Sequence, residues 1–588
     1  HFPLKKGSNE PVRQNFALRI HFTLDQQYTR CRMRLTLSTV ESVFLAEHQT
    51  CPQRNLLYAF AAQTPILAPT KPTGSTKPTK PQEPTARERG AAATGGGRTG
   101  RSRRNHQPDA GGMARSGRRS GASPCDLDRE FAPQIAQLLA APPPQSAQEY
   151  YEELIQSKKH DGIRVNYKGN HGKGVCANKD FAEGDLILKD QILVGAQHSL
   201  NKIDCVVCSY CFRFIGSVEF QIGHRLYFQS IASSIGCSSE RHCHGSDVGS
   251  STCSSGVTKE KSSTLPEEVI ESLITGDVSL PFSDHFALPE IVACQGCEEE
   301  RYCSQSCADS DWESYHSLLC AGPNTEPPRR SALHKFVEHA NETNDIFLVA
   351  AKAITFTMLR YKKLKRQNDF QNKSAESNFS LLMEAWKPLS MGFKKRWWDY
   401  VALPEDVDAS DEDSFRQEIR DLAFTSLKLL KDAIFDAECA PLFSLEVYGH
   451  IIGMFELNNL DLVVASPVED YFIHIDDLPD DKKEEAEKAT APLLDALDDD
   501  YAVPCDGTAF FPLQSCMNHS CCPNAKAFKR DEDNDGHAVI IALGPISKGE
   551  EITISYIDED LPYEERQAEL ADYGFTCTCS KCQEEKPN

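Results

Sequence analysis

The sequence predicts an α+β protein assembled around zinc modules, and three observations carry that expectation. Short glycine-punctuated stretches with β character lie at both ends of the body, from Ile163 to about Val194 and again after residue 507. Between them, residues 331–365 and 413–438 place apolar side chains at helical spacing, for example Phe347, Ala350, Ile354 and Met358. Most of the 23 cysteines fall in Cys-x-x-Cys type pairs near a histidine, which points to zinc in a reducing compartment and away from disulfides. The pattern does not fit a doubly wound sheet.

The net charge of −23 hides an asymmetry. Residues 1–123 hold 20 Lys and Arg against 7 Asp and Glu, a net of +13, which leaves 43 against 79 and −36 on the remainder. An acidic body is poor at holding nucleic-acid phosphates, which take clustered Lys and Arg. It suits a basic protein partner, or is simply a solvated surface. No apolar run approaches the roughly 20 residues that span a bilayer. The chain therefore reads as a soluble nuclear or cytosolic protein.

Taken in order, the chain opens at His1, and residues 61–123 have the Pro-, Gly-, Thr-, Ser- and Arg-rich composition of a disordered segment. The composition changes at Met113, so residues 1–112 are expected to lie outside the working protein, with Met113 as its natural start. The alternative is a basic targeting arm with a nuclear signal at Arg101 to Arg104. Residues 126–158 read as helical, broken at Pro142-Pro143-Pro144. The β-like stretch that follows contains Gly172-Lys173-Gly174-Val175 as a turn and Leu186-Ile187-Leu188 as a strand. Residues 205–320 hold the cysteine pairs, interrupted by a Ser-, Gly- and His-rich segment at roughly 232–264. Asn344-Asp345 supplies an N-cap for the first helical region. Trp397-Trp398 reads as core, and Asp498-Asp499-Asp500 as a solvated face. An acidic stretch over 475–500 precedes strands expected at 508–513, 538–543 and 552–557.

The cysteine region ends in Cys294-x2-Cys297-x5-Cys303-x3-Cys307-x8-His316-x3-Cys320. Four ligands complete one tetrahedral zinc, so these six imply two ions and a missing pair. Of Cys205, Cys208 and Cys211 upstream, Cys208 and Cys211 are preferred, because Phe212 follows directly and can pack under the knuckle; Cys205 is then the spare. Buried, inert cysteines are the bland alternative. Cys237, His242, Cys243, His244 and Cys253 could take a further metal, but their irregular spacing suits a flexible loop. At the C-terminus, Cys577-x-Cys579-x2-Cys582 supplies three thiolates, and Cys521 is the best candidate for the fourth. Such a metal would tie the tail to the loop containing Asn518 and His519, and a binding site can be built at that seam.

Three separated pieces need one explanation: the turn at Gly172 to Val175, the run Asn518-His519-Ser520-Cys521-Cys522-Pro523-Asn524-Ala525, and Gly549-Glu550-Glu551-Ile552-Thr553-Ile554-Ser555-Tyr556. Together and in this order they resemble the SET domain of protein-lysine methyltransferases. The metal pattern between the first and second pieces, with its Tyr302-Cys303 pair, resembles a MYND zinc finger, apart from the long insertion between Cys211 and Cys294. The terminal Cys-x-Cys-x-x-Cys resembles the post-SET zinc motif. The resemblance covers about residues 160–585 and is nearest to the plant trithorax-related branch of SET proteins, through the finger, the insertion and Gly453-Met454-Phe455-Glu456-Leu457-Asn458-Asn459.

The resemblance implies a β-rich SET domain split by a MYND-like zinc finger and a helical insertion, with a C-terminal post-SET zinc site. Its boundaries would be a basic leader (1–123), an N-terminal helical segment (124–160), the first SET part (161–204), the finger (205–320), the helical insertion (321–440), the second SET part (441–560) and the post-SET tail (561–588). Gly172, Lys173 and Gly174 would let the backbone approach the methionine part of S-adenosylmethionine, although His171 and Lys173 differ from the Arg or Asn often found there. Asn518 and His519 would contact the adenosine part, and Asn458 the amino-acid end. Tyr556 would be the active-site tyrosine, with Tyr573 and Phe575 lining the adenine pocket and the lysine channel. About three structural zinc ions would be held by Cys208, Cys211, Cys294, Cys297, Cys303, Cys307, His316 and Cys320, and by Cys521, Cys577, Cys579 and Cys582.

The implied reaction is an in-line displacement from a sulfonium to a lysine amine. Alignment can supply roughly 7–11 kcal/mol at the upper end, and a dry aromatic channel lowers the amine pKa. Tyr556 would orient the amine, since an unperturbed tyrosine titrates at about 10 and is a poor base near neutrality. The implied substrate is a histone H3 tail lysine in the nucleus, or in nucleus and cytosol; a non-histone protein is the open alternative. A second reading is a non-catalytic adaptor whose finger recruits protein partners, against which the intact Asn518-His519 pair, Tyr556 and the complete terminal cysteines argue. Neither sequence-specific nucleic-acid binding nor a membrane is expected.

Overall fold

The computed structural model describes residues 125–167, 172–234, 265–370, 377–404, 407, 410–530 and 532–587. The leader with Arg101 to Arg104 and Met113, His171, and Cys237, His242, Cys243, His244 and Cys253 lie outside the described residues. In chain order the strands are β1 (Ile163–Tyr167), β2 (Lys173–Ala177), β3 (Leu186–Asp190), β4 (Val194–Gln197), β5 (Val292–Ala293) and β6 (Arg301–Tyr302). They continue with β7 (Asn459–Val464), β8 (Cys505–Phe510), β9 (Asn518–His519), β10 (Ala525–Ala527), β11 (Ala538–Ala542) and β12 (Glu551–Ile554).

These strands form small sheets ordered β1-β2-β12-β9, β10-β11-β3, β4-β8-β7 and β5-β6. In the first, β2 faces β12 antiparallel with Val175 opposite Ile552, and β9 runs parallel to β12 with Asn518 opposite Thr553. Motif pieces far apart in sequence are therefore neighbours in one sheet. Val175, Leu188, Ile540 and Ile552 are buried in one core with Tyr151, Leu513 and Met517. Tyr151 reaches that core from the helix Pro144–Lys158, which begins at the third proline of the run expected to break it.

A second core is helical. The helix Ile346–Phe370 buries Phe347, Ala350, Ile354 and Met358, but also Val349, Ala353 and Thr357 on adjoining faces. It is therefore surrounded over most of its length. The hydroxyls of Thr355 and Thr357 donate to Ala351 O and Ala353 O at 3.0 Å, so their burial leaves no unpaired donor. Trp386, Trp397 and Trp398 are buried in the same core. The acidic stretch is largely helical: Asp480–Leu497 turns Ala486, Leu493 and Leu497 towards Tyr471 and Phe472 of the helix Pro467–Asp476. Among the described residues no helix is long and apolar enough to cross a membrane.

Three expected boundaries move, each for a local reason. The region 331–365 is two helices, Pro327–Glu342 and Ile346–Phe370, because Asn344 Oδ1 takes the Ile346 N–H at 3.0 Å and starts a new helix there. Asp345 is drawn elsewhere, accepting the Ser199 N–H at 3.0 Å. The strand expected at 508–513 stops at Phe510, since the N–H groups of Leu513 and Gln514 both go to the Asp190 carboxylate, at 2.7 and 2.9 Å. The strand expected at 552–557 stops at Ile554, beyond which His519 captures the Tyr556 N–H.

Candidate active site and metal clusters

The structure gathers the cysteine region into two groups, Cys208, Cys211, Cys303 and Cys307, and Cys294, Cys297, His316 and Cys320. In each, the ligand atoms lie within 4.8 Å of one another. The groups interleave because the short β5–β6 hairpin carries Cys294 and Cys297 to one side and delivers Cys303 to the other. Ser304 then caps the helix Gln305–Asp311, accepting the Cys307 N–H at 3.2 Å, which sets the Cys303 and Cys307 sulfurs 3.5 Å apart. Buried Tyr302 braces the turn by donating to Asp311 at 2.8 Å. Cys205 stands outside both groups. Its thiol points at Pro504 O and Val503 O, 3.3 and 3.5 Å away, and burial pushes it up to about 12, so it remains a protonated donor.

The third group is Cys521, Cys577, Cys579 and Cys582, again within 4.8 Å. Burial pushes the Cys579 thiol up, but the Cys582 N–H and neighbouring thiols outweigh it and bring it down to about 7, towards the thiolate a metal needs. Two side chains from the helix Tyr563–Asp572 support this group. Gln567 donates to Cys582 Sγ at 3.2 Å and accepts the Cys577 N–H at 3.0 Å. Arg566, 1% exposed, places Nη2 3.8 Å from the same sulfur and 2.7 Å from Glu585. No motif marks either residue in the sequence; only the packing of this helix on the tail reveals them. All three groups could bind zinc. Two offer four sulfurs and one offers three sulfurs with an imidazole nitrogen, the closed donor sets of structural zinc.

Beside the third group lies the candidate active site. Asn518 Nδ2 donates to Lys173 O at 2.9 Å and to Glu551 Oε1 at 2.8 Å, so one amide ties the glycine turn to β9 and β12. A Cβ at Gly174 would lie 2.5 Å from Glu551 Oε1 and would displace the carboxylate that Asn518 holds. Gly172 has φ +71°, a left-handed conformation that glycine adopts freely. Asn524 makes a second stitch, donating to Glu551 O at 2.8 Å and accepting the Thr553 N–H at 2.9 Å. Both Glu551 and Asn524 stand inside the quoted motifs, and only the sheet pairing shows what they hold.

His519 joins the metal group to the tyrosine. Its Nδ1 accepts the Tyr556 N–H at 3.0 Å and its Nε2 lies 3.2 Å from Cys521 Sγ. Burial, with Arg566 adding to it, pushes the imidazole down to about 4, so it is neutral near pH 7 and free to accept. The Tyr556 hydroxyl donates to Met517 O. Around it stand Tyr573, with ring centroids 5.3 Å apart, His519 at 5.4 Å and Phe575 at 6.3 Å. Burial pushes the Tyr556 phenol well above its usual range and Tyr573 up to about 12, so both stay protonated. Phe575 is 38% exposed and marks the open side of the aromatic cluster.

Two of the expected site residues also hold a third segment with their side chains. Lys173 Nζ donates to the Tyr151 hydroxyl at 3.1 Å and to Met391 O. Asn458 accepts the Phe393 N–H at 3.0 Å and donates to Phe393 O and Met454 O. Both side chains thus grip the Met391–Phe393 segment, which carries no motif and was invisible in the sequence.

This arrangement of turn, paired asparagine and histidine, and buried tyrosine is the core of a SET-type protein-lysine methyltransferase. The SET domain family matches residues 172–557, and the chain belongs to that family. It is 61% identical to Histone-lysine N-methyltransferase ATXR2 of Arabidopsis thaliana, over 78% of this chain and 98% of that protein. It is 28% identical to Protein-lysine N-trimethyltransferase SMYD5 of Gallus gallus, over 49% of this chain and 64% of that protein. A shorter stretch, 13% of this chain and 17% of that protein, is 43% identical to N-lysine methyltransferase SMYD2 of Homo sapiens.

Proposed function

We propose that the chain transfers a methyl group from S-adenosylmethionine to a histone H3 tail lysine, in the nucleus. The observation that carries this reading is the seam itself: one amide, Asn518, and one imidazole, His519, fix the glycine turn and Tyr556 against each other beside an aromatic cluster. S-adenosylmethionine would supply the activated methyl sulfonium. Aromatic faces such as those of Tyr556, Tyr573 and Phe575 suit a cationic sulfonium and exclude water. A lysine entering such a channel loses hydration, which favours its neutral, nucleophilic amine. The Tyr556 hydroxyl hydrogen is committed to Met517 O, leaving its oxygen to accept from that amine and hold it in line.

The histone substrate is supported by the similarity to ATXR2 and by the −36 charge outside the leader, a field that attracts a basic tail. In this reading the third group is a post-SET zinc site that folds Tyr573 and Phe575 over the cofactor, while the finger's two zincs brace a surface for protein partners. The test is labelled-methyl transfer to core histones and nucleosomes, with mass spectrometry to locate the lysine. Tyr556→Phe should lower kcat by roughly 10²–10³, the cost of one polar group aimed at the reacting centre, while the chain stays folded and its melting temperature falls by no more than about 4 °C, the cost of one lost hydrogen bond. A wild-type chain that binds the cofactor but modifies no histone would redirect the search to other proteins. Full activity in Tyr556→Phe would remove the tyrosine's role.

A further inference from the structure

The SET match begins at Gly172, yet the site is held from outside it. The helix Pro144–Lys158 sends Tyr151, 1% exposed, under the sheet to the glycine turn. There its hydroxyl receives the Lys173 ammonium at 3.1 Å, while the same ammonium donates to Met391 O in the helical part of the chain. Cys516 is buried in the same core as Tyr151, and its thiol donates to Pro512 O at 3.4 Å. The next residue, Met517, accepts the Tyr556 hydroxyl. A hydrogen bond from Lys173 to Tyr151 and the packing of Tyr151 in one core with Cys516 and Met517 therefore join the glycine turn to the anchor of Tyr556.

We propose that Tyr151 is a positioning residue for methyl transfer: by holding the Lys173 ammonium while its ring is buried in one core with Cys516 and Met517, it sets the cofactor turn and the Tyr556 anchor at a fixed separation. The helix Pro144–Lys158 is then a working part of the enzyme, not a leader to it. This rests on the reading of the seam as the S-adenosylmethionine site. Tyr151 touches no reacting atom; it acts through Lys173 and Met517.

The experiment uses the full metal-loaded chain and the variants Tyr151→Phe, Lys173→Met, Lys173→Arg and the Tyr151→Phe/Lys173→Met double. S-adenosylhomocysteine affinity is measured by calorimetry, kcat and KM by methyl transfer, and folding by thermal melts. Tyr151→Phe should weaken S-adenosylhomocysteine binding and lower kcat by about five- to tenfold each, the counterpart of one lost hydrogen bond, with KM for the lysine substrate unchanged. Lys173→Met should do the same, the double variant should be no worse than the worse single, and Lys173→Arg should recover most of the loss. Wild-type affinity and kcat in Tyr151→Phe, or losses that multiply in the double variant, would overturn the proposal. So would losses that merely follow a lowered melting temperature. If the wild-type chain neither binds S-adenosylhomocysteine nor transfers methyl groups, the reading of the seam fails first, and that result differs from an active wild type with an indifferent Tyr151→Phe.

Discussion

The finger and the C-terminal cysteine group share one donor chemistry but close in different ways. The finger's eight ligands lie between Cys208 and Cys320, and its two groups interlock with each other around the β5–β6 hairpin. The C-terminal group takes three ligands from the tail and one, Cys521, from the segment that carries Asn518 and His519. Of the two, the second has a ligand within reach of His519, with Cys521 Sγ 3.2 Å from His519 Nε2. A metal in the finger would stabilise a module; a metal in the tail would also hold the catalytic geometry.

The largest test of that difference is a matched pair of ligand deletions. Cys579→Ser should release about one metal per chain and weaken S-adenosylhomocysteine binding about ten- to hundredfold, as Tyr573 and Phe575 lose their seat and roughly 1.5–3 kcal/mol of aromatic burial. Cys307→Ser should also release metal but leave that affinity within about twofold. Metal content by mass spectrometry and affinity by calorimetry decide it. Equal losses of affinity in both variants would erase the distinction.

The same contrast explains what was legible beforehand. In the finger the sequence nominates the ligands, six by spacing and the pair Cys208 and Cys211 by the Phe212 that follows, because each short turn presents two near neighbours to one ion. Cys205 falls outside because its carbonyl partners, Val503 and Pro504, lie on a distant segment. At the seam the motif residues were visible, but their connections were not. Asn518 to Lys173 and His519 to Tyr556 span long stretches of chain and exist only through sheet pairing. Residues without motif or periodicity, such as Arg566, Gln567 and the Met391–Phe393 segment, reach the site only through packing. For the same reason nothing in the sequence shows that the side chains of Lys173 and Asn458 both hold main-chain groups of the Met391–Phe393 segment.

An intermediate effect should come from Arg566. Four thiolates around one divalent ion leave a net negative charge, and this buried guanidinium is the cation beside it, 3.8 Å from Cys582 Sγ. Arg566→Gln keeps a donor but removes the charge. Zinc release to a chromogenic chelator should then quicken about ten- to hundredfold for one metal per chain, the usual cost of an outer-shell change. The finger's metals should release at the wild-type rate. If all three quicken together, the tail group is not energetically separate.

The smallest effect should come from a residue in neither metal region. Asp190 ends β3, is buried, and holds the turn leading into Met517 and Asn518 by accepting the Leu513 and Gln514 N–H groups. Burial pushes its carboxyl up to about 7, and those N–H bonds only partly oppose the shift. Its unfolded value is about 3.9, so between pH 4 and 7 the folded chain holds more protons than the unfolded one. The stability this group contributes is therefore fully present below about pH 4 and is lost as pH rises through about 7. Asp190→Asn keeps an acceptor oxygen for the turn but cannot ionise. It should flatten the pH dependence of stability over that window and raise the melting temperature at pH 7.5 relative to wild type, by roughly 2–4 °C, with all metal retained. Melts at pH 5 and pH 7.5 measure this directly. An unchanged slope would mean that Asp190 is ionised throughout, and that its N–H partners outweigh the cost of its burial.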